Sequence, residues 1–243
     1  MKSDKKLSVS QKLKHRAALV QQGGVRAAVL GVNDGLVSTL CLVVGVAATG
    51  ASPRAVLTAG FAGLLAGAIS MAAGEWISVK AQVELFEGIL KDIKAVLSEN
   101  KTNLTEPLAH SLAGQGMNLD TAHEAVKDIA VSDEKLIELY SSQIIGLNQD
   151  ELGSPLRVAI SSFVLFAIGS LVPIIPWLFV DGSIALTLSI ILTSLAGLFV
   201  GGFIANSSGK SLPRGAIRQL LIVLGSAIVT YGIGFVFGVA TKG

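Results

Sequence analysis

Five long apolar runs constrain this chain more than any other feature of its sequence. A helix needs about 20 mostly apolar residues to cross the hydrocarbon core of a bilayer. The mean hydropathy of the whole chain, +0.66, agrees with lipid rather than water as its main solvent. The runs predict five membrane-spanning helices, at 27–48, 55–79, 156–180, 184–205 and 216–239.

Between the second and third runs the chain becomes polar, but its apolar residues still recur at helical spacing. This pattern predicts an inserted helical domain. Because no glycine or proline lies between Glu75 and Glu87, we expect its first helix to continue from the second membrane helix. The fold class is therefore an all-α integral membrane protein with five transmembrane helices. Its expected parts are an amino-terminal segment (1–24), helices one and two (25–79), the inserted domain (80–155) and helices three to five (156–243).

Lysine and arginine are concentrated in the amino-terminal segment and in the link between the fourth and fifth runs. Cytoplasmic flanks carry the excess of these residues. We therefore expect the amino terminus and the inserted domain in the cytoplasm and the carboxyl terminus on the opposite side. The first apolar run exceeds the roughly 7–15 residues of a signal-peptide core, so we expect the first helix to be retained.

Several function classes are disfavoured. The net charge is only +2, and the separation of acidic and basic residues into different segments is typical of a membrane protein with loops rather than of a protein that binds nucleic acid. The single cysteine, Cys41, excludes a disulfide within one chain. All three histidines (His15, His110 and His123) fall outside the apolar runs, and no phosphate-binding loop is present. We expect neither an enzyme nor an ATP-driven pump.

Two acids lie inside the apolar runs, Asp34 in the first and Glu75 in the second. A charged side chain costs several kcal/mol in hydrocarbon unless it is paired or bound to a cation, so both are candidate functional residues. Met71 lies one helical turn before Glu75, and Asn33 and Ser38 add oxygen atoms beside Asp34. Oxygen ligands with one thioether suit Fe²⁺ or Mn²⁺ better than Mg²⁺.

Structural alternatives remain open for part of this set. Glu75 can lie at the membrane interface in an ion pair with Lys80 or Arg26, and Met71 can be core. The inserted domain carries two carboxylate pairs at one-face helical spacing, Glu84 with Glu87 and Glu134 with Glu138. A solvated helix surface would carry the same pattern.

The stretches RAAVLGVNDGLVSTLCLVVGVAATG and LTAGFAGLLAGAISMAAGEWISVKAQ closely resemble the signature of the vacuolar iron transporter family. The resemblance continues through DELG and the last apolar runs, and covers nearly all of the chain beyond Gly23. It implies a homodimer of five-helix protomers, with a metal path between them and exchange of Fe²⁺ or Mn²⁺ against protons. It also implies that Asp34 and Met71 line the path, with Glu75 as a participant.

The resemblance is weaker in the inserted domain, which in this family collects cytoplasmic metal on glutamates. Family members carry a dense run of glutamates after the second membrane helix, where this chain reads SVKAQVELFEGILKDIKAV. Few candidate ligands remain here: Glu84, Glu87, Glu106 and Glu138.

The functional hypothesis is a transporter that moves Fe²⁺ or Mn²⁺ out of the cytosol, with the metal as cargo and no permanent cofactor. Metal ligation requires deprotonated carboxylate, so metal and protons compete for the same groups. A homodimer in which Asp34 faces its counterpart is the simplest geometry for a polar path. The membrane is bacterial plasma membrane, or vacuolar membrane in a eukaryote. The alternative is a membrane-anchored scaffold or binding module that has lost metal capture.

Overall fold

The computed structural model describes residues 23–148 and 153–240, and eight α-helices occur in this part of the chain. A π-helical turn (Ser141–Ile145) follows α5, and a 3₁₀ turn (Ile175–Leu178) extends α6. The helices are α1 (Gly23–Ala48), α2 (Pro53–Glu99), α3 (Thr102–Gly114), α4 (Leu119–Ile129), α5 (Asp133–Tyr140), α6 (Pro155–Ile174), α7 (Gly182–Ser207) and α8 (Leu212–Ala240).

Five of the described helices are long and apolar enough to cross a membrane, namely α1, α2, α6 with its 3₁₀ turn, α7 and α8. This confirms the predicted number of spanning helices. The expected continuity of the second helix is also confirmed, because α2 runs for 47 residues, past the predicted limit at residue 79. The predicted hairpins between α1 and α2 and between α6 and α7 each use a glycine with positive φ, Gly50 (78°) and Gly182 (63°), and Gly209 (69°) lies in the short link between α7 and α8.

Several predicted helix limits differ from the structure by a few residues, and prolines lie at two of them. The third span was expected to be helical to residue 180, but its last turn is 3₁₀ and ends at Leu178. Pro176 lies in that turn and has no N–H for an α-helical hydrogen bond. The fifth span begins at Leu212 rather than at residue 216. Pro213 is tolerated there because the first helical turn does not need its N–H.

The chain divides into two compact units. The membrane unit comprises Gly23–Trp76 with the chain from Pro155 onward, and the helical unit contains Ile77–Ser154. Within the membrane unit, α1 packs against α6, α7 and α8, and α7 packs against α8.

Glycines let the backbones of these membrane helices touch. A Cβ atom on Gly35 of α1 would overlap the carbonyl oxygen of Phe166 in α6, and a Cβ on Gly169 of α6 would overlap that of Val32 in α1. Gly201 and Gly215 form a reciprocal contact between α7 and α8. Small residues at such crossings allow the close helix packing that replaces the hydrophobic effect in lipid.

A hydroxyl group supports the proline-rich end of α6. Trp177 donates its indole N–H to Ser189 Oγ (3.0 Å), and Ser189 donates to the carbonyl oxygen of Pro173 (2.7 Å). Pro176, three residues after Pro173, has no N–H to offer that carbonyl. The Ser189 hydroxyl of α7 therefore supplies the hydrogen bond to Pro173 that Pro176 cannot donate.

The helical unit has its own apolar core, and two of its helices, α4 and α5, begin after capping residues. The Asn118 side chain accepts a hydrogen bond from the backbone N–H of Asp120 (2.9 Å), and Ser132 accepts one from Lys135 (3.4 Å). Such caps satisfy backbone donors that the first helical turn leaves free. The buried core residues come from α2, α3, α4 and α5: Ile93, Leu104, Leu108, Ala109, Ala122, Val126, Leu136 and Ile137.

Some sequence features on which the predictions drew lie outside the described residues. They are the basic amino-terminal segment through residue 22, the Asp150 and Glu151 of DELG, and Lys242. The predicted orientation of the chain in the membrane stays a prediction.

Replacing Gly234 of α8 by alanine should destabilise the membrane unit by about 1–3 kcal/mol through overpacking. The added methyl group would lie 3.0 Å from Ala48 Cβ and closer still to the carbonyl oxygen of Gly45. Thermal unfolding in detergent measures the effect. Gly232→Ala is the matched control, because a Cβ there meets nothing within 4 Å. Equal melting temperatures for the two variants would contradict the backbone contact.

Candidate functional site

The three residues of the NDG motif point in three directions from α1. Successive helical residues are about 100° apart around the axis. Asn33 accepts a hydrogen bond from the side-chain amide of Gln219 on α8. Gly35 contacts the backbone of Phe166 on α6, and its own carbonyl accepts a hydrogen bond from Ser170 Oγ (3.3 Å). Asp34, between them, is exposed in the single chain.

The Asp34 side chain lines a cavity of about 340 Å³, here called the α1/α2 pocket. The pocket lies within the membrane unit and is formed by three helices. Its lining residues are Asp34, Ser38, Thr39 and Leu42 of α1, Gly63, Gly67, Ser70 and Met71 of α2, and Phe166 of α6.

Two glycines shape the α2 wall of this pocket. A Cβ atom on Gly63 would overlap the side chain of Leu42, and one on Gly67 would overlap the Phe166 ring. The larger side chains of α1 and α6 thus occupy the space that α2 leaves free. Met71 lies one turn beyond Gly67 on the same face of α2. The glycine spacing therefore brings the thioether to the pocket that contains Asp34.

The structure brings together three of the five residues predicted for the transport path. Asp34, Ser38 and Met71 line the α1/α2 pocket. The Ser38 hydroxyl donates a hydrogen bond to the backbone carbonyl of Asp34 (2.5 Å). The lone pairs of the Ser38 oxygen are not used in this bond and can accept or ligate. Asn33 turns toward α8 instead, and Glu75 is half-buried but does not line the pocket.

Sequence reasoning missed three polar residues at this site. Ser70 and Thr39 contribute hydroxyl groups to the pocket lining, and Gln219 holds Asn33. Ser70 could have been found, since it is adjacent to Met71 and four residues before Gly74 in the quoted SMAAGE block. Gln219 gives no local signal, because its partner lies 186 residues away in the sequence.

The pocket offers one carboxylate, several hydroxyls and one thioether from helices that are distant in sequence. Hydroxyl and carboxylate oxygens are hard donors, and the thioether is a soft one. Such a mixture of donors suits a first-row divalent cation better than Mg²⁺. Within residues 23–148 and 153–240, no group of three or more His, Cys, Asp or Glu side chains is arranged to hold a metal ion.

The predicted acids of the helical unit are on its surface. Glu84 forms an exposed ion pair with Lys80 (3.4 Å), and Glu87 is exposed. Glu106 Oε2 lies 3.9 Å from His110 Nε2 and 4.0 Å from His123 Nε2.

The family model described as "VIT family" matches residues 25–235 of this chain. The chain is similar to "Vacuolar iron transporter homolog 1" of Oryza sativa subsp. japonica, with 34% identity over 217 residues that cover 88% of this chain and 74% of the relative. It is 29% identical to "Vacuolar iron transporter" of Acanthamoeba castellanii over 231 residues, 91% of this chain and 82% of that protein. "VIT-like transporter 1a" of Glycine max is 30% identical over 187 residues, 77% of this chain and 72% of the relative.

Proposed function

The chain belongs to the VIT family, the vacuolar iron transporters, and from this premise we propose that it carries Fe²⁺ or Mn²⁺ out of the cytosol in exchange for protons. The observation that supports this proposal best is the meeting of a carboxylate and a thioether, from α1 and α2, in one pocket within the membrane unit. Both relatives named as vacuolar iron transporters align over most of their length, which supports iron as a cargo.

In this proposal, Asp34 and Met71 provide the main metal contacts, and the hydroxyls of Ser38 and Ser70 replace part of the hydration shell. Glu75 lies one turn from Met71, where it can pass metal to the pocket. Metal binding requires the carboxylate form of Asp34, so protonation of that group expels the ion. Alternate occupation of Asp34 by metal and by protons couples their movements.

The exposure of Asp34 supports a homodimer. A lone carboxylate facing lipid would cost several kcal/mol. In the single chain the pocket that Asp34 lines is open. A two-fold partner at this face would enclose the pocket and bring a second Asp34 to the path.

Reconstituted vesicles with an acidic interior should take up Fe²⁺ or Mn²⁺ faster than vesicles without a pH gradient, because outward proton flow drives the exchange. Asp34→Asn keeps the size of the side chain and removes its charge. We expect it to lower the initial uptake rate by at least about 10-fold, the minimum loss typical of even indirect metal-site changes.

Asp181→Asn is the matched control for this experiment, since Asp181 is an exposed acid of the membrane unit that does not line the pocket. Wild-type vesicles that move neither metal would overturn the transport proposal and favour the scaffold alternative. Metal uptake without a response to the pH gradient would overturn proton exchange alone.

Replacing Met71 by leucine should weaken Fe²⁺ transport more than Mn²⁺ transport. The two side chains have similar volumes, so packing is conserved, but the soft sulfur ligand is lost. We expect the KM for Fe²⁺ to rise about 10-fold, which corresponds to about 1.4 kcal/mol. Met117→Leu, an exposed methionine of the helical unit, is the control. Equal changes in the KM for Fe²⁺ and for Mn²⁺ would show that Met71 contributes packing rather than a sulfur ligand.

Neutralising both Glu84 and Glu87 to glutamine tests whether the helical unit collects metal. Acidic groups raise the local concentration of a cation, so their loss should increase the KM by up to about 10-fold and leave the maximal rate unchanged. Glu124→Gln with Asp128→Asn is the matched control, since these two exposed acids of α4 have the same kind of helical spacing and are not among the candidate ligands. If the KM for metal is the same in both double variants and in the wild type, the capture role is wrong.

A further inference from the structure

A buried glutamine of α8 is attached to the motif that carries Asp34. Gln219 is only 6% exposed, and its side-chain amide donates a hydrogen bond to Asn33 Oδ1 on α1. An amide without a partner is costly in hydrocarbon, where no water can replace the lost hydrogen bond. The contact between Gln219 and Asn33 is therefore favoured strongly over separation of the two groups.

Glycines of α7 leave the space in which Gln219 lies. A Cβ atom on Gly201 would be 2.5 Å from Gln219 Cβ, and one on Gly197 would be 3.5 Å from Gln219 Cγ. The reciprocal contact between Gly201 and Gly215 keeps α7 and α8 together beside it. Gln219 is thus buried against α7, and a side chain larger than glycine at residue 201 would displace it.

The hydrogen bond acts on the side of α1 opposite to the glycine contact with α6. Asn33 and Gly35 lie about 100° on either side of Asp34 around the helix axis. Asn33 is held by α8, and Gly35 is pressed against Phe166 and accepts a hydrogen bond from Ser170. Rotation of α1 would break one or both of these contacts, and in the observed orientation Asp34 lines the α1/α2 pocket.

We propose that Gln219 is a positioning residue for transport: through Asn33 it sets the rotation of α1 and thereby directs Asp34 into the pocket. Its effect on flux rests on the proposed function, whereas its effect on the direction of residue 34 does not. Asn33 thus serves transport as an anchor to α8 rather than as a metal ligand.

The transport test compares Gln219→Leu with a swapped pair, Asn33→Gln with Gln219→Asn. The leucine variant removes the hydrogen bond at similar volume, and we expect its KM for Mn²⁺ to rise about 10-fold, as for other residues that orient a metal ligand. The swapped pair keeps one carboxamide on each helix and should recover most of the loss.

A double variant, Asn33→Leu with Gln219→Leu, separates positioning from stability. Replacing both partners by apolar groups leaves no buried amide unpaired, so the folded yield and melting temperature should return toward the wild type. The KM should stay raised, because the α8 anchor is still absent. A wild-type KM in the double variant would overturn the proposal. Ser189→Ala, which removes another buried hydroxyl network in the membrane unit, is the control expected to lower stability without raising the KM.

A thiol-labelling experiment tests the geometry without any transport. In a Cys41→Ala background the chain has no other cysteine, so Asp34→Cys provides a single thiol in the pocket. Its reaction with a water-soluble methanethiosulfonate reagent should become slower when Gln219→Leu is added, since residue 34 then turns away from the pocket. Labelling of Ser38→Cys should also become slower, because residue 38 lies one helical turn from residue 34 on the same face of α1.

Unchanged labelling at residue 34 in the folded Gln219→Leu variant would overturn the positioning role, whatever the wild type does in the flux assay. Slower labelling together with absence of metal flux in the wild type would leave the positioning geometry supported and would count against the proposed function alone. The two failures are therefore distinguishable.

Discussion

Glycines on both partners allow close backbone contact between α1 and α6 in the membrane unit. At the crossing of α1 and α6, Gly35 and Gly169 each face a carbonyl group of the other helix. Lipid provides no hydrophobic force to press helices together, so van der Waals contact along such crossings has to supply the attraction. The position of α1, and of every group that it carries, depends on this contact.

Within α1, the three residues of the NDG motif (Asn33, Asp34 and Gly35) face three different neighbours. The asparagine bonds to α8, the glycine packs on α6, and the aspartate remains for the pocket. Three consecutive residues can do this because a helix turns about 100° at each step. The motif therefore determines how α1 packs against its neighbours as well as which residue lines the pocket.

Much of the fold could be predicted from the sequence, because apolar runs of spanning length and the proline and glycine turns between them are local signals. The same hydropathy could not show that Pro176 converts the end of α6 into a 3₁₀ turn, since that outcome depends on backbone hydrogen bonds. In the site, the intramembrane position of Asp34 and its likeness to a known motif were visible in the sequence. The roles of Ser70 and Gln219 were not, because they arise from contacts between helices far apart in the chain.

The pocket is bounded by two kinds of contact, one between α1 and α6 and one between these helices and α2. Between α1 and α6 the contact is backbone on backbone, which no rotamer change can relieve. Facing α2, the contacts at Gly63 and Gly67 are made by the side chains of Leu42 and Phe166. Phe166 is buried, but the Leu42 side chain is partly exposed and can change rotamer far faster than packed helices shift. The pocket can therefore widen more readily beside Leu42 than along the crossing of α1 and α6.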